Sequence, residues 1–152
     1  MNDVETTRPL YTLRIAAELS GVSKHSIRQY IDRGLIIPFK TETERHLFSQ
    51  VDIKRLKNIR IDLTTNGLNI AGIKRIMAQT PCWLIKPCTK EEYLQCGSYL
   101  SSDQPCWLSS EKGPSCSQTE CRTCSVYEIV ERCDDIKELF KDYGPLSRTN
   151  AS

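Results

Sequence analysis

Apolar positions recur at helical spacing through the first half of the chain and thin out in the second. In YTLRIAAELSGVSKHSIRQYIDRGLI, residues 11–36, Leu13, Ala16, Ala17 and Leu19 follow the period of one helix face. Ile27, Tyr30 and Ile31 form the stripe of a second helix. Thr12 and Ser23 stand where N-caps belong, because a side-chain oxygen there can accept from the unpaired N–H groups of a first turn. Gly21 supplies the positive φ that a tight turn between the helices needs, and Gly34 ends the second. Residues 35–49, LIIPFKTETERHLFS, place β-prone flanks around a polar tip and predict a short two-stranded wing. Ile53, Leu56, Ile59 and Leu63, then Ile70, Ile73, Ile76 and Met77, predict two further amphipathic helices broken at Asn66-Gly67.

Periodicity then lapses. Residues 81–124 hold four of the seven prolines among Ser and Gly, with too few apolar residues for a sizeable core. It returns in SVYEIVERCDDIKELFKDYG, residues 125–144, where Val126, Ile129, Val130, Cys133, Ile136, Leu139, Phe140 and Tyr143 form a wide helical stripe closed by Gly144 and Pro145. The expected architecture is mainly α. A loose arm (1–9) leads to a winged helix-turn-helix with two further helices (10–80). A loop-rich, cysteine- or metal-stapled region (81–124), an amphipathic C-terminal helix (125–144) and a polar tail (145–152) follow.

Charge divides the chain in the same place. Residues 1–80 carry 13 Lys and Arg against 8 Asp and Glu, a balance of +5, while residues 81–152 carry 8 against 11, a balance of −3. All eight cysteines lie in the acidic part. A basic, cysteine-free head and an acidic, cysteine-rich tail imply two tasks. The first twenty residues lack a continuous apolar stretch and no run of eighteen apolar residues occurs, so a cytoplasmic location without membrane insertion is expected. In that compartment thiols stay reduced, and a cysteine cluster more often holds metal than disulfides.

Two short helices joined by a glycine-containing turn are a helix-turn-helix pattern. Its second helix enters the major groove of DNA with its N-terminal side chains near base edges, here Ser23, Lys24, His25 and Ser26. Arg28, one turn on, can donate twice to a phosphate or a base. Thr12 and, on the wing, Lys40, Arg45 and His46 complete the candidate DNA-contacting set, with Tyr30 added below. No Ser-His-Asp set, phosphate loop or paired-carboxylate signature argues for an enzyme.

Three phrases in order, YTLRIAAELSGVSKHSIRQYIDRGLI, the wing ending in LFSQVDIKRL, and NGLNIAGIKRIM, resemble the MerR family of transcription regulators over about residues 10–79. The last phrase looks most like the family's heat-shock repressor branch. The resemblance implies a winged helix-turn-helix that binds palindromic double-stranded operator DNA as a homodimer, with RNA polymerase a candidate further partner. It matches Arg28 and Tyr30 to the arginine and aromatic that hold the DNA backbone. His46 stands where most members have a wing arginine, with Arg45 beside it. Family members usually run from the fourth helix into a long dimerisation helix; here Pro81 and Cys82 intervene. The stripe of residues 125–144 is left either to dimerise or to cover the cysteine region.

Residues 81–124 repeat Pro-Cys-Trp at 81–83 and 105–107 and end in a C-x2-C pair. With Val-Tyr-Glu close behind, this resembles small bacterial two-CW cysteine domains, for which metal or cluster binding is the implied function. Cys82, Cys88, Cys96, Cys106, Cys116, Cys121, Cys124 and Cys133 are all candidate ligands. Both histidines, His25 and His46, lie in the head, so a tail site is built of thiolate. A zinc site of four cysteines favours two close pairs, and only Cys121 and Cys124 form one. Cys116-x4-Cys121-x2-Cys124 matches part of a ferredoxin spacing, with Cys133 or Cys106 as a fourth ligand. An iron–sulfur cluster is therefore favoured, with zinc and redox-switched disulfides as alternatives. Cys133 also lies on the apolar stripe, where it can simply be buried. The expectation is a DNA-binding regulator whose tail senses redox state, oxygen or metal. Its alternatives are a constitutive DNA-binding protein with structural zinc and a DNA-tethered thiol or electron-transfer module.

Overall fold

The computed structural model describes residues 4–86, 88–117, 120–130, 137, 140 and 141, the side chains of Val4, Glu5, Ile129 and Val130 excepted. The chain forms two compact units, residues 1–73 and 74–152.

The first unit starts with a single helical turn, α1 (Val4–Thr7), and a two-residue strand, β1 (Tyr11–Thr12). Thr12 then caps α2 (Leu13–Ser20), its hydroxyl accepting from the Ile15 N–H at 3.3 Å. The helix stops at Gly21, whose φ of 71° and N–H bond to the Ala17 carbonyl form a left-handed cap. Ser23 caps α3 (Lys24–Asp32), accepting from the Ser26 N–H at 3.1 Å. The inner face of α2 runs through Ala16 and Ser20, both buried, so Leu19, expected on the stripe, is 47% exposed. Leu13 and Ala17 are half-buried.

The wing forms as β2 (Phe39–Lys40) and β3 (His46–Phe48), antiparallel, with Lys40 opposite His46. It gains a third strand: β1 pairs antiparallel with β3, Tyr11 opposite Phe48, giving the order β1-β3-β2. The wing is thereby tied to the start of the helix-turn-helix.

A capping box opens α4 (Gln50–Thr64): Ser49 N–H donates to the Asp52 carboxylate at 2.9 Å and Asp52 N–H to the Ser49 hydroxyl at 3.2 Å. Ile53, Leu56 and Ile59 are buried as their spacing predicts, joining Ala16, Val22, Ile27, Leu35, Ile36 and Phe48 in the core. The helix ends before Gly67, which has positive φ, and α5 (Ile70–Ala78) follows, the Gly72 N–H bonding the Asn69 side chain at 2.7 Å.

The second unit is a set of one- and two-turn helices. They are α6 (Cys82–Ile85), α7 (Lys90–Leu94), α8 (Gly97–Leu100), α9 (Pro114–Ser117) and α10 (Ser125–Val130), with 3-10 turns at Cys106–Leu108 and Cys121–Thr123. Its interior is small and mixed: Cys96, Ser98, Trp107, Val126 and Tyr127 are buried. Val126 opens the C-terminal stripe, Tyr127 beside it is buried as well, and α10 packs on α6, so this end of the stripe covers the cysteine region. Cys133, Ile136, Leu139 and Tyr143 lie outside the described residues. No helix among the described residues is long and apolar enough to cross a membrane.

Candidate DNA-binding face and cysteine bays

The first turn of α3 presents Lys24 and His25 to solvent, with Arg28 exposed one turn on. Ser23 and Ser26 are partly committed to each other, their hydroxyls 3.0 Å apart in addition to the cap. Tyr30 stands apart from this set. It is 5% exposed and belongs to the core stripe, with its hydroxyl bonded to Ser26 and near the Arg60 guanidinium. On the wing, Arg45 and Lys40 are exposed and His46 is half-buried. Lys40 forms an ion pair with Glu44 at 2.6 Å, both ends exposed, so a phosphate would have to displace only a weak surface partner. Glu44 itself sits at a positive φ of 66°, bending the tip of the wing. Lys24, Arg28, Lys40 and Arg45 are thus exposed cations, with hydrogen-bonding side chains at a helix start, the kinds of group that touch phosphates and base edges. The rest of the α3 stripe faces inward and holds the helix in place.

In the cysteine-rich unit the structure gathers residues that stand far apart in sequence. Cys82, Cys88, Cys96 and Cys116 line one cavity, with Trp83, Tyr93 and Tyr99. Cys82, Cys106, Cys116, Cys121 and Cys124 line a second, with Trp107 and Tyr127. Empty space within them, open mouths included, is ≈ 360 and ≈ 370 Å³. Cys82 and Cys116 belong to both. All seven of these cysteines are free thiols. They ring the cavities: among the described residues no three His, Cys, Asp or Glu side chains stand close enough to hold one metal ion. The eighth candidate, Cys133, lies outside the described residues.

The sulfurs differ in what surrounds them. Burial, reinforced by the neighbouring sulfurs of Cys116, Cys96 and Cys88, pushes the Cys82 thiol up to about 12. Burial and the sulfurs of Cys82, Cys124, Cys121 and Cys116 push Cys106 up strongly. Cys116 is raised by burial, against the opposing charge of Lys86. Cys96 goes the other way. Burial works to raise it, but the N–H groups of Tyr99, Gly113 and Ser98 and the Ser98 hydroxyl all favour the thiolate, and its pKa is lowered. The Gly113 N–H lies 3.2 Å from the Cys96 sulfur. In the second cavity Lys112 places its ammonium 3.2 Å from the Cys121 sulfur.

The sign of the Cys82 and Cys106 shifts fixes a pH dependence. The unfolded chain loses these protons near the ordinary thiol value, whereas the folded unit keeps them to higher pH. Their contribution to stability is full below that ordinary value and is lost as pH rises toward the folded one. The metal-free, reduced unit is therefore expected to melt at progressively lower temperature as pH is raised above about 9, followed by tryptophan fluorescence. A flat profile would contradict the burial of these thiols.

Sequence reasoning named the cysteines but not Lys86, Lys112 or Tyr99, and Tyr127 only as the middle of Val-Tyr-Glu. The two tyrosines each follow a cysteine by three residues, a signal present in the chain.

Comparison with known proteins agrees with the fold of the first unit. Residues 11–80 match the family model described as MerR HTH family regulatory protein. The chain is 36% identical over 95 residues to the HTH-type transcriptional regulator GlnR of Bacillus anthracis, covering 60% of this chain and 73% of that protein. The Bacillus cereus GlnR gives the same figures. A Streptomyces coelicolor protein described as "Putative heat shock protein HspR" is 38% identical over 69 residues, 45% of this chain and 46% of that one. The matched family region ends at residue 80 and so stops short of the first cysteine. With caps, turn, recognition helix and wing all in place, this chain belongs to the MerR HTH family of regulatory proteins.

Proposed function

We propose that the chain is a sequence-specific transcription regulator whose cysteine-rich unit holds a thiolate-ligated cofactor and reports redox state, oxygen or metal through it. The observation that carries the reading is the convergence of seven free cysteines on two adjoining cavities. They come from across 43 residues of sequence, and all but Cys96 stay partly exposed, where a ligand can reach them. An iron–sulfur cluster fits better than a single zinc ion. The support for a cluster is the Cys116-x4-Cys121-x2-Cys124 spacing, which matches part of a ferredoxin pattern, while only one close cysteine pair is present for zinc. The three relatives named above are described as transcriptional regulators, twice, and as a putative heat shock protein, which agrees with a regulatory role.

The head acts as a homodimer on a palindromic operator with half-sites about one helical turn apart. The cofactor favours one arrangement of the tail, and so one spacing of the heads. The test is anaerobic purification, iron, sulfide and zinc counted per chain, then operator affinity of the loaded, stripped and air-oxidised protein. Matching iron and sulfide with a changed affinity is expected. Stoichiometric zinc and an indifferent affinity would make the tail a structural element instead.

Arg28→Ala is expected to weaken operator binding roughly ten- to a hundredfold while leaving the fold intact, since Arg28 is exposed. Binding measured against salt concentration separates its two modes. A phosphate contact lowers the slope by about one per arginine, and a base contact leaves it unchanged. Wild-type affinity in the variant would displace α3 from the groove.

A further inference from the structure

The repeat of Pro-Cys-Trp extends further than three residues. Pro81-Cys82-Trp83-Leu84 recurs as Pro105-Cys106-Trp107-Leu108. Each is followed by a middle cysteine, Cys88 or Cys116, and then by Cys-x2-Tyr, Cys96 to Tyr99 or Cys124 to Tyr127. The backbone repeats as well. A buried proline precedes each cysteine turn, and its carbonyl accepts from the leucine N–H: Leu84 to Pro81 at 3.0 Å, Leu108 to Pro105 at 3.1 Å. Each last cysteine precedes a helix and accepts through its carbonyl four residues on: Leu100 to Cys96 and Glu128 to Cys124, both at 3.1 Å. Each tryptophan then meets the tyrosine of its own copy edge to face. Trp83 and Tyr99 lie 4.9 Å apart at 85°, Trp107 and Tyr127 5.2 Å apart at 83°.

We infer that residues 81–99 and 105–127 are two copies of one thiolate-binding module, and that the chain carries two metal centres, one in each cavity. The first cavity takes Cys82, Cys88 and Cys96 from its own copy, and Cys116 from the other. The second takes Cys106, Cys116, Cys121 and Cys124 from its own copy, and Cys82 from the other. Each copy thus contributes one cysteine to both centres, and the two centres are coupled through Cys82 and Cys116. The aromatic pair of each copy walls its cavity on one side. The ligand class is a thiophilic metal, as an ion or within a cluster. The inference deepens the proposed function by fixing the number of centres and their ligands, and it holds whether the metal is iron or zinc.

The test is an anaerobic titration of the metal-free, reduced full chain with Co²⁺, whose thiolate charge-transfer band counts occupied centres. Wild type is expected to saturate at two equivalents. Cys88→Ser with Cys96→Ser should saturate at one, as should Cys121→Ser with Cys124→Ser. Saturation of wild type at one equivalent overturns the inference, as does loss of all binding in a variant pair that still folds. Should a pair fail to fold, the wild-type end point decides by itself. Protein isolated without iron that still takes two equivalents overturns the iron–sulfur reading and leaves the two centres standing. Protein isolated with a cluster but taking one equivalent does the reverse.

Discussion

Trp107→Ala is expected to cost the cysteine-rich unit about 3–5 kcal/mol of stability in the absence of metal. The indole is 8% exposed, meets Tyr127 edge to face at 5.2 Å, and walls the second cavity. Few other large side chains are buried in this unit, so its removal leaves a void that short helices cannot close. Both tryptophans stand in residues 81–107, and Trp83 remains as the fluorescent reporter in the variant. The denaturation midpoint should fall sharply, and most of it should return on metal loading, because ligand binding to the folded state adds its own free energy. Trp107→Phe keeps an aromatic wall and is expected to lose far less. A Trp107→Ala midpoint equal to wild type would show that the aromatic pair is not structural.

Ile27→Ala is the corresponding lesion in the head, with an expected cost of about 2–5 kcal/mol. Ile27 is fully buried on the inner face of α3, beside a core formed by Ala16, Leu35, Phe48 and Leu56. Its truncation undermines the helix that presents Lys24, His25 and Arg28. Far-UV circular dichroism with urea should show a lowered midpoint, and operator binding should fall with the folded fraction. The contrast with Arg28→Ala is diagnostic: there affinity falls at constant stability. Full stability in Ile27→Ala would contradict the placement of α3 on the core.

The head was legible because its signals are local. Thr12, Gly21 and Ser23 each act on a backbone group within four residues, so caps and turn can be found by reading along the chain. β1 was not legible. Two residues, Tyr11 and Thr12, carry no period, and they become a strand only because β3 lies beside them, with Phe48 opposite Tyr11 and Leu47 opposite Thr12. Leu19 shows the limit of a stripe drawn from hydrophobicity alone. Leu19 faces out while Ser20 is buried, its hydroxyl satisfied by the Ala16 carbonyl at 2.7 Å. Tyr30 fits both the stripe and a family role at the DNA, and packing places it in the stripe. In the tail, composition disclosed thiolate chemistry and a thin core. It did not disclose which sulfurs meet, because that depends on turns of three to six residues with no periodicity to read. The lysines beside Cys116 and Cys121 were equally hidden, since a lysine in an acidic, polar stretch looks solvated.

Gly97 offers neither charge nor donor atom beyond its backbone, yet its N–H meets the Glu111 carbonyl at 2.7 Å. A Cβ placed there would fall 2.8 Å from that same carbonyl oxygen and 3.0 Å from the Glu111 Cβ. A saturation-mutagenesis map of this chain would therefore show position 97 as blank as Cys96 before it. A reader who took intolerance for ligation would count one donor too many, and only the chemistry of the surviving residue, glycine, would tell the two kinds of constraint apart.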